Sequence, residues 1–172
     1  LINNAGVLPA VVPLGEVPEA QLVNALRVGL EAPMQLTAAF LAATGAWAQA
    51  GWQGPRKVLN ISSGLGRNAM ASQSPYCAAK AGMDHFTRCC ALEEANRPNG
   101  ARLVSLAPGV IDTDMQVHLR GSAASGFPDR QRFVDLREKG MLTSPDDAAA
   151  RVLAWLDRSD FGSNPVADVR DA

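Results

Sequence analysis

A tyrosine and a lysine stand four residues apart in "SPYCAAKAGMDHF", residues 74–86, inside a run of small residues that reads as a helix. Positions i and i+4 of a helix share a face, so Tyr76 and Lys80 can point at the same spot. A free phenol titrates near ~10. A neighbouring ammonium favours the phenolate and lowers that value. A tyrosine tuned in this way can give a proton to a carbonyl oxygen or take one from an alcohol. Ser63 lies thirteen residues before Tyr76, at the end of the apolar run "KVLNISS". Its hydroxyl could hydrogen-bond the same oxygen and hold a substrate in place. No nucleophile is needed. The chemistry that fits is hydride transfer, with the hydride supplied by a nicotinamide cofactor. A serine hydrolase fits poorly, because there is neither a G-x-S-x-G elbow nor an S-x-x-K motif.

These side chains need elements to hold them. "LINNAG" reads as the end of a buried strand followed by a tight turn at Asn4, Ala5 and Gly6. Residues 19–43 are predicted to be helical, with Leu22, Leu26, Leu30 and Met34 recurring every four residues and a kink at Pro33. "TGAWAQAGWQGPRK", residues 44–57, is predicted to be a loop. Residues 57–63 read as a buried strand ending in Ser62 and Ser63. Ser74 is the expected N-cap, with Pro75 in the first turn, of a helix reaching Glu94. "RLVSLAPG" reads as a further strand ending in a Pro-Gly turn. Residues 112–140 read as irregular with helical pieces. "SPDDAAARVLAWLD" carries a Ser cap, a proline and first-turn acids, so a helix is expected there. The tail can hold one last short strand. Strands alternating with helices imply an α/β fold: a Rossmann-like, doubly wound parallel sheet. In such sheets ligands bind at the carboxyl ends of the strands, and there lie Asn4-Ala5-Gly6, Ser62-Ser63 and Pro108-Gly109.

Composition narrows the class. The 172 residues are 47% hydrophobic and 19% charged, which suits one globular domain with a true core. The net charge is −1 and no basic stripe occurs, which excludes a nucleic-acid footprint. Arg27, Glu31 and Pro33 interrupt the apolar stretches, so no membrane span is expected; the opening residues lack a charged stretch followed by an apolar core and a cleavage site, so no signal peptide is expected. Cys77, Cys89 and Cys90 lack metal-ligand spacing and read as small buried residues of a reducing, cytoplasmic compartment. The two histidines, His85 and His118, are too few and too far apart for a metal site; His118 is the one expected to line a pocket.

Taken together, NNAG after a strand, paired serines at a strand end, Tyr76/Lys80 in "AAKAG", Pro-Gly and "DTDM" closely resemble the short-chain dehydrogenase/reductase family. The resemblance implies an oxidoreductase in which Tyr76 is the acid/base. Lys80 then lowers the tyrosine pKa and binds the nicotinamide ribose, while Ser63 orients the substrate oxygen and Ser62 is structural. Asn4, Ala5 and Gly6 approach the adenosine half of the cofactor. Pro108, Gly109, Ile111 and Thr113 line the nicotinamide and its neighbouring phosphate, and Asp112 and Asp114 serve as turn and cap. Gly29, in "RVGLEAPM", stands where the family carries an asparagine whose main-chain carbonyl holds a relay water.

"ARLVSLAPGVIDTDMQ" resembles the sepiapterin reductase and benzil reductase branch. This implies a ketone or diketone substrate, pterin-like or aromatic. It favours NADP(H), with NAD(H) possible. Asp168 matches the branch's pterin-anchoring aspartate, or is a solvated C-terminal acid. The family's glycine-rich phosphate turn is not matched, so the chain reads as the C-terminal two-thirds of such a domain. Two functional expectations follow: a carbonyl reductase, homodimeric or homotetrameric when complete, or a truncated non-catalytic dimerising fragment. In the second case Ala78, Ala79, Ala81 and Gly82 would allow close helix pairing, unless they pack inside the subunit. A partial sheet would also make the isolated chain poorly stable.

Overall fold

A computed structural model of the chain describes residues 1–171. Four strands form one sheet in the order β1 (Ile2–Asn3), β2 (Lys57–Ile61), β3 (Arg102–Ala107), β4 (Val166–Asp168), and every pairing is parallel. The connections between them carry the helices α1 (Glu19–Leu26), α2 (Ala32–Gln49), α3 (Ser74–Glu94), α4 (Asp114–Gly121), α5 (Arg130–Glu138) and α6 (Pro145–Asp157).

The two-residue period of the central strands sends side chains to both faces. Val58 and Leu103 pack with Cys90 and with Phe40, Leu41 and Phe86 from α2 and α3. Leu59, Val104 and Leu106 pack on the opposite face with Phe161 and with Val152, Trp155 and Leu156 of α6. A sheet buried on both faces reads as a near-continuous apolar run, which explains β2 and β3. A third cluster of Val11, Leu119, Phe127 and Phe133 joins the loop after β1 to α4 and α5.

Three expectations are corrected. Residues 44–49 are helical: α2 runs to Gln49, where a loop was expected. Arg56 supplies the reason. Its buried guanidinium donates to Thr44 Oγ1 at 3.0 Å and to the Leu41 carbonyl at 3.3 Å, anchoring the last turns from outside the helix. Gln73, not Ser74, occupies the N-cap of α3. The cysteines are not uniformly buried: Cys90 is buried, Cys77 half-buried and Cys89 exposed.

The expected bend before Pro33 takes the form of a π-helical turn, Arg27–Glu31, joining α1 to α2. Proline has no N–H to give to the carbonyl four residues earlier, which is that of Gly29. The buried line on this helical run is Ala25, Gly29, Pro33 and Thr37, while Met34 is exposed. Small residues permit the close approach to α3, and of the leucines Leu30 packs against it at Gly82.

Candidate active site

Three strand ends converge. After β2 the chain stays extended through Ser62 and Ser63, then enters a 3-10 turn, Gly64–Gly66. Ser63 caps this turn by accepting from the Leu65 N–H at 3.2 Å. Its own hydroxyl proton is therefore free to turn toward Tyr76, whose phenol it acts on. Lys80 lies one turn along α3. It is 4% exposed, donates to the Ile61 carbonyl at 2.7 Å, and places Nζ 5.7 Å from the centre of the Tyr76 ring. The structure thus brings Ser63, Tyr76 and Lys80 together.

The electrostatics differ from the sequence expectation. Burial pushes the Tyr76 phenol above its ordinary value, and the neighbouring Ser63 side chain works against that shift. Burial also brings Lys80 itself down to about 8, with the charge of Asp84 opposing. Tyr76 is therefore protonated at neutral pH, the form that donates a proton.

The turn after β1 reaches the same place. A Cβ built on Gly6 would lie 3.9 Å from Lys80 Nζ, so backbone passes close to the ammonium. Asn4, Ala5 and Gly6 are exposed, whereas Asn3 is buried and donates to Asn60 at 2.7 Å and to Thr37 at 3.3 Å. Pro108 and Gly109 leave the end of β3, with Gly109 at φ +85°, where a side chain would be strained. Ile111 bridges to Thr143, and Thr113 caps α4 with its backbone. Asp112 pairs with Arg137, and Asp114 sits in the first turn of α4.

Gly29 is buried in the π turn, and a Cβ there would come within 2.9 Å of the Ala79 Cβ. Any side chain would collide with the helix that carries Lys80. Gly82 similarly faces Leu30, so Ala79 and Gly82 pack inside the chain, while Ala78 and Ala81 are exposed.

Asp168 ends β4 and is 5% exposed. It is not a solvated acid: Arg170 grips both carboxylate oxygens at 2.7 and 2.6 Å, and Arg67 approaches to 3.6 Å. The Arg170 bonds hold its pKa below the usual carboxylate range. A pterin amino group would have to share this carboxylate with two guanidinium groups. His118 lines a cavity of about 270 Å³ with Val7, Leu8, Gln21 and Asn24. Ser63, Tyr76 and Lys80 do not line it. His85 is exposed on α3.

Sequence reasoning missed Asp84, Gly66 and Ser105. Asp84 Oδ1 accepts from Ser62 at 2.5 Å and from Ser105 at 2.7 Å. An acid four residues after Lys80 was the available signal, since that spacing puts both on one face.

A family model described as short chain dehydrogenase matches residues 1–123. The chain belongs to that family. Across 166 residues it is 36% identical to a benzil reductase ((S)-benzoin forming) of Bacillus cereus, covering 96% of this chain and 65% of the relative. It is 32% identical over 177 residues to the sepiapterin reductase of Bos taurus, covering 99% and 61%. A solved protein from Agrobacterium tumefaciens, assigned as a 2-deoxy-D-gluconate 3-dehydrogenase and holding bound NADP, superimposes with a TM-score of 0.76 at 27% identity, covering 98% and 64%. The chain therefore spans less than two-thirds of these relatives. These similarities place it in the family's benzil and sepiapterin reductase branch. No helix among the described residues is long and apolar enough to cross a membrane, and no acid, histidine and cysteine cluster there could hold a metal.

Proposed function

We propose that the chain carries the catalytic half of an NAD(P)H-dependent carbonyl reductase, acting on an aromatic or pterin-like ketone or diketone. The carrying observation is that Ser63 and Lys80 both flank Tyr76, with Lys80 Nζ 5.7 Å from the centre of its ring. The residues present fit one end of a nicotinamide cofactor. An ammonium has three donors, and Ile61 accepts from Lys80 Nζ, which leaves donors for ribose hydroxyls. Gly6 leaves backbone, not a side chain, beside that point. When bound, the cofactor supplies hydride to the carbonyl carbon.

The chain's own residues do the rest. Ser63 and Tyr76 both hydrogen-bond the carbonyl oxygen, orienting it and stabilising the charge that develops there. Tyr76 then transfers its proton to that oxygen, and Lys80 stabilises the resulting phenolate. The NADP held by the solved relative supports a nicotinamide cofactor, and of the two this reading favours NADP(H) over NAD(H). A cytoplasmic, homodimeric enzyme is part of the same reading. Tyr76→Phe keeps the ring and removes the proton. It is expected to abolish turnover of benzil with NADPH while leaving cofactor binding intact. Turnover within a few-fold of the parent would refute the assignment.

A further inference from the structure

Asp84 lies one turn beyond Lys80 on α3 and is 2% exposed. Its Oδ1 takes two hydroxyl protons, one from Ser62 at the end of β2 and one from Ser105 in β3. Its Oδ2 has no hydrogen-bond partner among the described residues. That oxygen lies under Gly66, where an added Cβ would come within 2.7 Å of it and 3.0 Å of the Lys80 carbonyl oxygen. A buried charge is costly unless it is paired and hydrogen-bonded. Two hydroxyls answer part of that cost, and the nearby positive charge is Lys80.

We propose that Asp84 is a positioning residue of this site: its carboxylate ties α3, and with it Tyr76 and Lys80, to β2 and β3, with its charge one helical turn from Lys80. The proposal rests on reading Ser63, Tyr76 and Lys80 as the reacting set. Ser62 immediately precedes Ser63, so the Asp84–Ser62 bond sets where the Ser63 hydroxyl meets Tyr76. The groups facing Lys80 are few. Its own helix brings Tyr76 and Asp84, β2 brings the Ile61 carbonyl, and the turn after β1 brings the uncharged Gly6. Asp84 is the anion in that set, and its charge favours the ammonium against burial.

Asp84→Asn keeps the shape and an acceptor oxygen but removes the charge. The chain has three lysines, Lys57, Lys80 and Lys139, so a ¹³Cε-lysine NMR titration resolves Lys80, assigned with Lys80→Arg. In the parent, Lys80 is expected to titrate at about 8. In Asp84→Asn the titration is expected to fall by roughly one unit. An unmoved titration overturns the proposal, because a purely packing role leaves it in place. If the variant does not fold, the parent alone still decides: a lysine titrating near ~5–6, as buried lysines without an anion do, overturns it. In the reductase assay, Asp84→Asn is expected to lower kcat by about tenfold or more with the carbonyl KM unchanged. If the parent reduces no carbonyl compound, the reductase reading fails, and the Lys80 titration still judges Asp84.

Discussion

At the scale of single residues, the site is built as much by missing side chains as by present ones. Gly29 faces Ala79 with no room for a Cβ, and Ala79 is the residue before Lys80. Alanine in a helix is worth about 1 kcal/mol over glycine, yet overpacking costs about 1–3 kcal/mol. Gly29→Ala is therefore expected to lower the urea midpoint, and Gly29→Asn to lower it further despite restoring the family's residue. An unchanged midpoint in both would show that α3 gives way freely. Tyr76, Lys80 and Ser63 were legible in the sequence because their spacing on a helix and at a strand end is a local property. The direction of the Tyr76 shift was not. It depends on how deeply the helix is buried, and no sequence spacing reports that.

At the scale of elements, Arg56 links four pieces of chain. Its Nη1 donates to Glu94 at 3.0 Å and to the Asn99 carbonyl at 2.9 Å, and Glu94 also accepts from the Ala101 N–H at 2.9 Å. The ends of α2 and α3 and the start of β3 thus meet on one buried ion pair, with side-chain exposures of 2% and 3%. Removing one partner strands a buried charge, which costs about 3–5 kcal/mol. Arg56→Met is expected to destabilise by that order in chemical unfolding. The last turns of α2, which Arg56 anchors, should lose amide-exchange protection first. A loss below about 1 kcal/mol would mean that the pair is wet. This contact explains the misread segment 44–49. Its glycine, threonine and tryptophan argue for a loop locally, and only a donor twelve residues from Thr44 makes them helical.

At the scale of the whole molecule, the loop after β1, the end of β2 and the turn after β3 deliver their groups to one rim of the sheet. β1 has one neighbouring strand, so its outer edge is unpaired among the described residues. Ligands that bind the folded state raise its melting temperature by mass action. NADPH is expected to raise the melting temperature of this chain more than NADH does. Absence of any shift with either would show that these residues alone do not hold the cofactor.

Local chemistry wrote the sheet, the Ser144 cap of α6 and the nearness of Tyr76 and Lys80 on α3 into the sequence. Alternation, capping residues and i, i+4 spacing act over a few residues. Tertiary structure decided the rest: that Asp84 accepts from two serines on neighbouring strands, that Gly29 must stay bare, and that Arg170 and Arg67 occupy Asp168. Those contacts join segments far apart in the chain. Their energies come from burial and charge pairing, which exist only once the layers have packed.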